Sequence, residues 1–199
     1  MIKNPLSAAR IKRDGALWCN RTIAQGAWQK ACDQPHEVAI YLEGEPSITY
    51  GSIADEARRL ITALRQLGLE QGDVISFQLP NWRESVVVDI AASALGLIVN
   101  PVIPIYRDHE LRFILKDVRT RLIYIPEQLR SLEFPSMIAT LRADLPDLEF
   151  VVTVRAQQKY DGMLRYEDLV ESAPVDLETL PEIDPNSIKA ILYTSGTTG

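Results

Sequence analysis

The chain has 199 residues, 46% of them hydrophobic, and a formal net charge of −6. That is ordinary globular composition with room for one or two domains, and the acidic balance argues against the basic face that nucleic-acid binding needs. No apolar run approaches the ~20 residues that span a bilayer, and the N-terminal MIKNPLSAARIKRDG lacks the apolar centre of a secretory signal, so a soluble, cytoplasmic protein is expected.

Residues 1–20 are mixed and basic, with no period, and read as an N-terminal extension. NRTIAQGAWQKACDQP then opens a helix, with Thr22 and Gln25 at capping-box spacing and Pro35 at its end. EVAIYLE and SITY flank the turn GEPS and predict a β-hairpin. Next comes an amphipathic helix. Ile53, Ala57, Leu60, Ile61, Leu64 and Leu67 form one apolar stripe, and Gly68 stands where the helix must stop. The pair Arg58-Arg59 lies in this pattern beside acids and reads as a solvated face.

VISFQLP is a strand ended by Pro80. Asn81 and Glu84 have capping-box spacing ahead of a helix through VVVDIAASALGL, with Gly96 near its end. IVNPVIP is a strand broken by prolines, and DHELRFILKDV is a helix with Leu111, Ile114, Leu115 and Val118 on one face. The NPVIPIY turn reads as a proline-stiffened loop, and Trp82 as a packing residue. LIYIP, PSMIATLRADLP and LEFVVTV continue as strand, helix and strand. Strands alternating with helices predict an α/β fold, a layered unit with a mainly parallel sheet, over residues 21–155. Residues 156–186 are polar, acidic and proline-containing and read as a connection. SIKAILYT is a last strand, so 187–199 would start a further unit and, lacking sheet neighbours, should be poorly anchored.

That strand runs into TSGTTG. Glycines let successive N–H groups point into one concavity, and Ser and Thr add uncharged donors, a combination suited to phosphate oxygens. Gly196 and Gly199 supply the freedom; Thr194, Ser195, Thr197 and Thr198 supply the hydroxyls. The loop lacks the GK[ST] of a Walker-type site and the GxSxG of a nucleophile elbow. Neither His36 nor His109 has a sequence sign of serving Ser195 as a base. Cys19 and Cys32 form no CxxC pair, which leaves a metal site poorly supported and suits a reducing compartment.

YTSGTTG resembles the phosphate-binding signature of the adenylate-forming superfamily, which holds acyl-CoA synthetases, luciferases and peptide-synthetase adenylation domains. In that superfamily the motif runs on as x-Pro-Lys-Gly. ITYGSIADEARRLITALRQLGLEQGDVISFQLPN and ALGLIVNPVIPIYRDHELRFILKDVRTRLIY resemble the superfamily's preceding stretches, in the same order. The resemblance covers nearly the whole chain and implies the first part of a large N-terminal domain of β-α subdomains, cut inside the nucleotide loop. We therefore expect a truncated or proteolysed piece of a longer enzyme.

The resemblance further implies that carboxylate and ATP give acyl-adenylate and pyrophosphate, with transfer of the acyl group to coenzyme A. It places Thr194, Ser195, Gly196, Thr197, Thr198 and Gly199 around the phosphates and Thr194 in the magnesium shell. The acid that completes the metal site, the ribose-binding aspartate and the C-terminal lysine of the family all fall beyond Gly199. This chain thus holds no catalytic residue and should be inactive alone. PNWRE and NPVIPIYRDHEL look most like ligases of short or medium fatty acids or of cyclohexanecarboxylate. Alternatives are an adenylation domain that loads a carrier protein, a luciferase-like oxygenase, or a non-catalytic stand-alone α/β binding module. Oligomeric state is not legible.

Overall fold

The computed structural model describes residues 20–194. Helix α1 (Ile23–Asp33) starts with the expected capping box. The Thr22 hydroxyl accepts from the Gln25 amide at 3.2 Å, and the Gln25 side chain accepts from the Thr22 amide at 2.9 Å. The hairpin follows as antiparallel β1 (Val38–Ile40) and β2 (Ile48–Thr49). Its second strand is cut short because the Thr49 hydroxyl accepts from the Ser52 amide at 3.2 Å and caps helix α2 (Tyr50–Gln66). Gly68 has a left-handed φ of 75°, as the stop of α2 requires.

Then come β3 (Val74–Phe77), α3 (Arg83–Leu95), β4 (Ile98–Pro101), α4 (Asp108–Asp117) and β5 (Leu122–Pro126). A small hairpin, β6 (Gln128–Leu129) with β7 (Leu132–Glu133), precedes α5 (Phe134–Leu141). β8 (Phe150–Val154), β9 (Leu164–Arg165) and the one-turn α6 (Tyr166–Leu169) complete the elements. The main sheet has the order β4-β3-β5-β8-β9, and all its pairs are parallel.

The parallel sheet is covered on both faces, which is why a strand such as Leu122–Pro126 is buried along its whole length. On one face the stripe of α2 (Ile53, Ala57, Leu60, Ile61, Leu64) packs with Val87 and Ala91 of α3 against Ile75, Tyr124 and Val152. On the other, Leu111, Ile114 and Leu115 of α4 and Phe134 and Ile138 of α5 cover Ile123, Ile125 and Val151.

Four expectations change. Asn81 does not cap α3: the N-cap residue is Trp82, without a side-chain cap, and Glu84 is drawn into a buried ion pair instead. Arg58 and Arg59 are not a solvated face. Arg58 Nε donates to the Val175 carbonyl at 2.9 Å and an Arg59 guanidinium nitrogen donates to that of Ser172 at 3.2 Å, strapping the 170s onto α2. The acidic connection is correspondingly held down, with Tyr166, Val175 and Ile183 buried. Finally, the strand expected at 187–194 shrinks to one parallel bridge, Val99 to Ala190. Yet it is anchored, because Ile188, Ile191 and Tyr193 pack on Val74, Ile98 and Val118.

Candidate functional site at the carboxyl edge of the sheet

From β3 the chain steps to β4 on one side and then returns across β3 to β5 on the other. This reversal is a topological switch point, and ligands of open α/β sheets bind beyond the carboxyl ends of the strands there. Three connections meet along that edge: Gln78–Asn81 after β3, Val102–Arg107 after β4, and the segment that reaches Thr194 beside β4.

Side chains hold these connections in place. Gln78 is fully buried, and its amide nitrogen donates to the carbonyls of Ile103 at 3.2 Å and Tyr106 at 3.0 Å. Arg107 donates to the carbonyls of Pro104 and Tyr106, both at 2.9 Å. The NPVIPIY turn is thus clamped from below and from its own end. Tyr193 donates its hydroxyl hydrogen to Asp117 and sets its ring edge-on to Phe113, centroids 6.1 Å apart. Burial, reinforced by the Asp117 carboxylate, pushes the Tyr193 phenol well above its ordinary pKa, so it stays protonated and keeps donating. Upstream, Lys189 pairs with Asp89 of α3 at 2.7 Å.

Thr194 follows Tyr193 and is exposed. Ser195, Gly196, Thr197, Thr198 and Gly199 lie outside the described residues. His36 and His109 are exposed. Among the described residues, no group of three or more His, Cys, Asp or Glu side chains is arranged to hold a metal. Magnesium prefers an octahedron shared between a few protein oxygens, phosphates and water. Thr194 offers one exposed hydroxyl, which alone would supply at most one corner of such a shell.

A second cluster, which sequence reasoning missed, sits at the carboxyl end of β8. Arg155, with φ 58°, donates from Nε and a terminal nitrogen to Glu84 at 3.0 and 3.1 Å, and to Glu45 of the β1–β2 turn at 2.7 and 3.2 Å. Its guanidinium lies 4.3 Å over the Trp82 ring. Those hydrogen bonds hold the exposed Glu45 carboxyl below its usual range. No spacing signals a bond across 71 residues; the only hint was Glu84, two residues after Trp82 at a helix start.

Comparison with known proteins gives the family and the fold. The family model "AMP-binding enzyme" matches residues 27–199. A medium-chain fatty-acid–CoA ligase of Escherichia coli is 27% identical over 94% of this chain and 33% of its own length. A salicylyl-CoA synthase / salicylate adenylyltransferase of a Streptomyces species is 28% identical over 98% of this chain and 36% of its own. The crystal structure of the anthranilate CoA ligase AuaEII in complex with anthranoyl-AMP shares the fold, with a TM-score of 0.79 at 22% identity, over 93% of this chain and 34% of that one. The chain spans about a third of the length of the curated relatives it matches.

Proposed function

Because the chain belongs to the AMP-binding enzyme family, we propose that it forms the N-terminal part of an ATP-dependent carboxylate–CoA ligase. The observation that carries this reading is the position of Thr194, at the carboxyl edge of the parallel sheet just past its bridge to β4 and directly ahead of a Ser/Thr/Gly sequence of phosphate-binding composition. In this reading residues 1–20 are an extension, 21–155 the first β-α subdomain and 156–186 the connection. Residues 187–199 open the next subdomain.

The reaction joins a carboxylate oxygen to the α-phosphorus of ATP as the bond to pyrophosphate breaks, giving acyl-adenylate; a thiol of coenzyme A then takes the acyl group and AMP leaves. Negative charge grows on the departing pyrophosphate, so fixed donors around it lower the barrier. Thr194, Ser195, Gly196, Thr197, Thr198 and Gly199 would supply such donors, and Thr194 one oxygen to magnesium, which neutralises phosphate charge when bound. Phe113 and Asp117, by holding Tyr193, orient the start of that loop. No described helix is long and apolar enough to cross a membrane; a cytoplasmic location is part of the reading proposed here.

The carboxylate is a short or medium fatty acid or an alicyclic acid in our reading. A carrier-protein-loading adenylation domain is the second reading; the adenylation step named for the Streptomyces relative, 28% identical, is common to both. Incubating the full-length protein with ATP, magnesium and mixed carboxylates, with either coenzyme A or a phosphopantetheinyl carrier, separates them. Mass spectrometry should find the acyl group on coenzyme A; acyl transfer only to the carrier would favour the second reading.

A further inference from the structure

At the sheet's edge, odd-numbered residues of β4 face the terminal segment. The Val99 amide donates to the Lys189 carbonyl at 3.0 Å, and the Ile191 amide donates to the Val99 carbonyl at 2.9 Å. Even-numbered residues face β3: the Ile98 amide donates to Asp73 and that of Val102 to Phe77, both at 2.9 Å. Continued by one step, the parallel ladder would offer the Ile191 carbonyl the N–H of residue 101. That residue is Pro101, which has none. The donor comes from its neighbour instead: Asn100 Nδ2 reaches the Ile191 carbonyl at 3.2 Å.

Asn100 is held for this task. It is fully buried, and its Oδ1 accepts from the Ser76 hydroxyl at 3.4 Å. Ser76, also buried, shares a 2.7 Å hydrogen bond with the Thr120 hydroxyl. This row of polar side chains crosses the sheet from the start of β5 to its edge. It turns the carboxamide oxygen toward β3, leaving the nitrogen for the outer segment. A buried row like this is costly unless each member is satisfied, and the Ile191 carbonyl is the partner that satisfies the last one.

We propose that Asn100 is a positioning residue: together with Pro101 it ends the ladder at Ile191 and so sets where the terminal segment leaves the sheet ahead of Thr194. The consequence for nucleotide binding rests on the phosphate-loop reading above; the geometry does not. A slip of one residue would move the segment by roughly 3.3 Å and reverse its faces, taking Tyr193 off Asp117 and Phe113.

Amide hydrogen exchange on this chain tests it without nucleotide, so failure of a ligase assay and failure of this proposal are separate results. Asn100→Leu should lower protection of the Ile191 amide by about tenfold while β5 amides keep theirs, the size of one lost hydrogen bond. Adding Pro101→Ala, which returns a main-chain N–H to the ladder, should restore most of that protection. If the Leu variant does not fold, Asn100→Ser keeps a hydroxyl for Ser76 but falls short of Ile191, and the same local loss is expected. Unchanged Ile191 protection, an equal loss at β5, or no rescue by Pro101→Ala would overturn the proposal.

Discussion

Given ATP, magnesium and a panel of carboxylates, the 199-residue chain by itself is expected to release no carboxylate-dependent pyrophosphate. The chain spans about a third of the length of its relatives. By resemblance, the acid that completes the metal site, the aspartate for the ribose and the lysine that drives adenylation lie beyond Gly199. A phosphate loop without base and ribose contacts loses most of the interactions that would offset the cost of ordering a triphosphate. The edge-anchored segment is held as far as Tyr193 by Asn100, Asp117 and the Lys189–Asp89 pair. Among the described residues, no group of three or more His, Cys, Asp or Glu side chains could hold a metal ion. Pyrophosphate appearing in proportion to added carboxylate would show this expectation wrong.

Replacing Arg155 with alanine is expected to cost about 3 kcal/mol of folding stability, near the lower end of the loss typical when a buried ion pair is deprived of one partner. Glu84 has a side chain only 4% exposed, and Arg155 supplies two of its hydrogen bonds. After the substitution Arg83, with Nε 3.4 Å away, still faces that carboxylate, which tempers the loss. The β1–β2 turn would also lose its tether through Glu45, and Trp82 its stacked cation. Alanine keeps the left-handed backbone that Arg155 occupies, so no strain is relieved. Urea unfolding measures the change. Substituting Glu84→Gln together with Arg155→Ala should recover part of it, because the stranded charge is gone. A loss below about 1 kcal/mol would mean that the cluster is only a surface pair in effect.

The layered α/β fold was legible because its signals are local. The stripe from Ile53 to Leu64, the Thr22–Gln25 box and Gly68 each act within a few residues, and the structure has all of them. Misreadings arose where a distant partner overrode a local rule. Glu84 had the spacing to cap a helix but pairs with Arg155, 71 residues away. Arg58 and Arg59 had the pattern of a wet helix face but bind carbonyls of Val175 and Ser172, more than 110 residues on. The expected phosphate-loop residues stood out by composition, since Gly, Ser and Thr in succession after an apolar strand is a local pattern too, but all of them except Thr194 lie outside the described residues. Asn100 was not. Its role depends on which carbonyl faces Pro101 across the sheet edge, and nothing in NPVIPIY says that Ile191 will be there.

The central claim is that this chain belongs to an enzyme that activates carboxylates with ATP. The measurement that tests it most directly is carboxylate-dependent exchange of labelled pyrophosphate into ATP by the full-length protein, read with a panel of aliphatic, alicyclic and aromatic acids. Exchange reports acyl-adenylate formation whichever acceptor is used, so it holds for coenzyme A and for a carrier protein alike. The expected result is label in ATP only when magnesium and a suitable acid are both present. A folded full-length protein that exchanges no label with any acid in the panel would contradict the claim and leave the non-catalytic binding module as the reading to pursue.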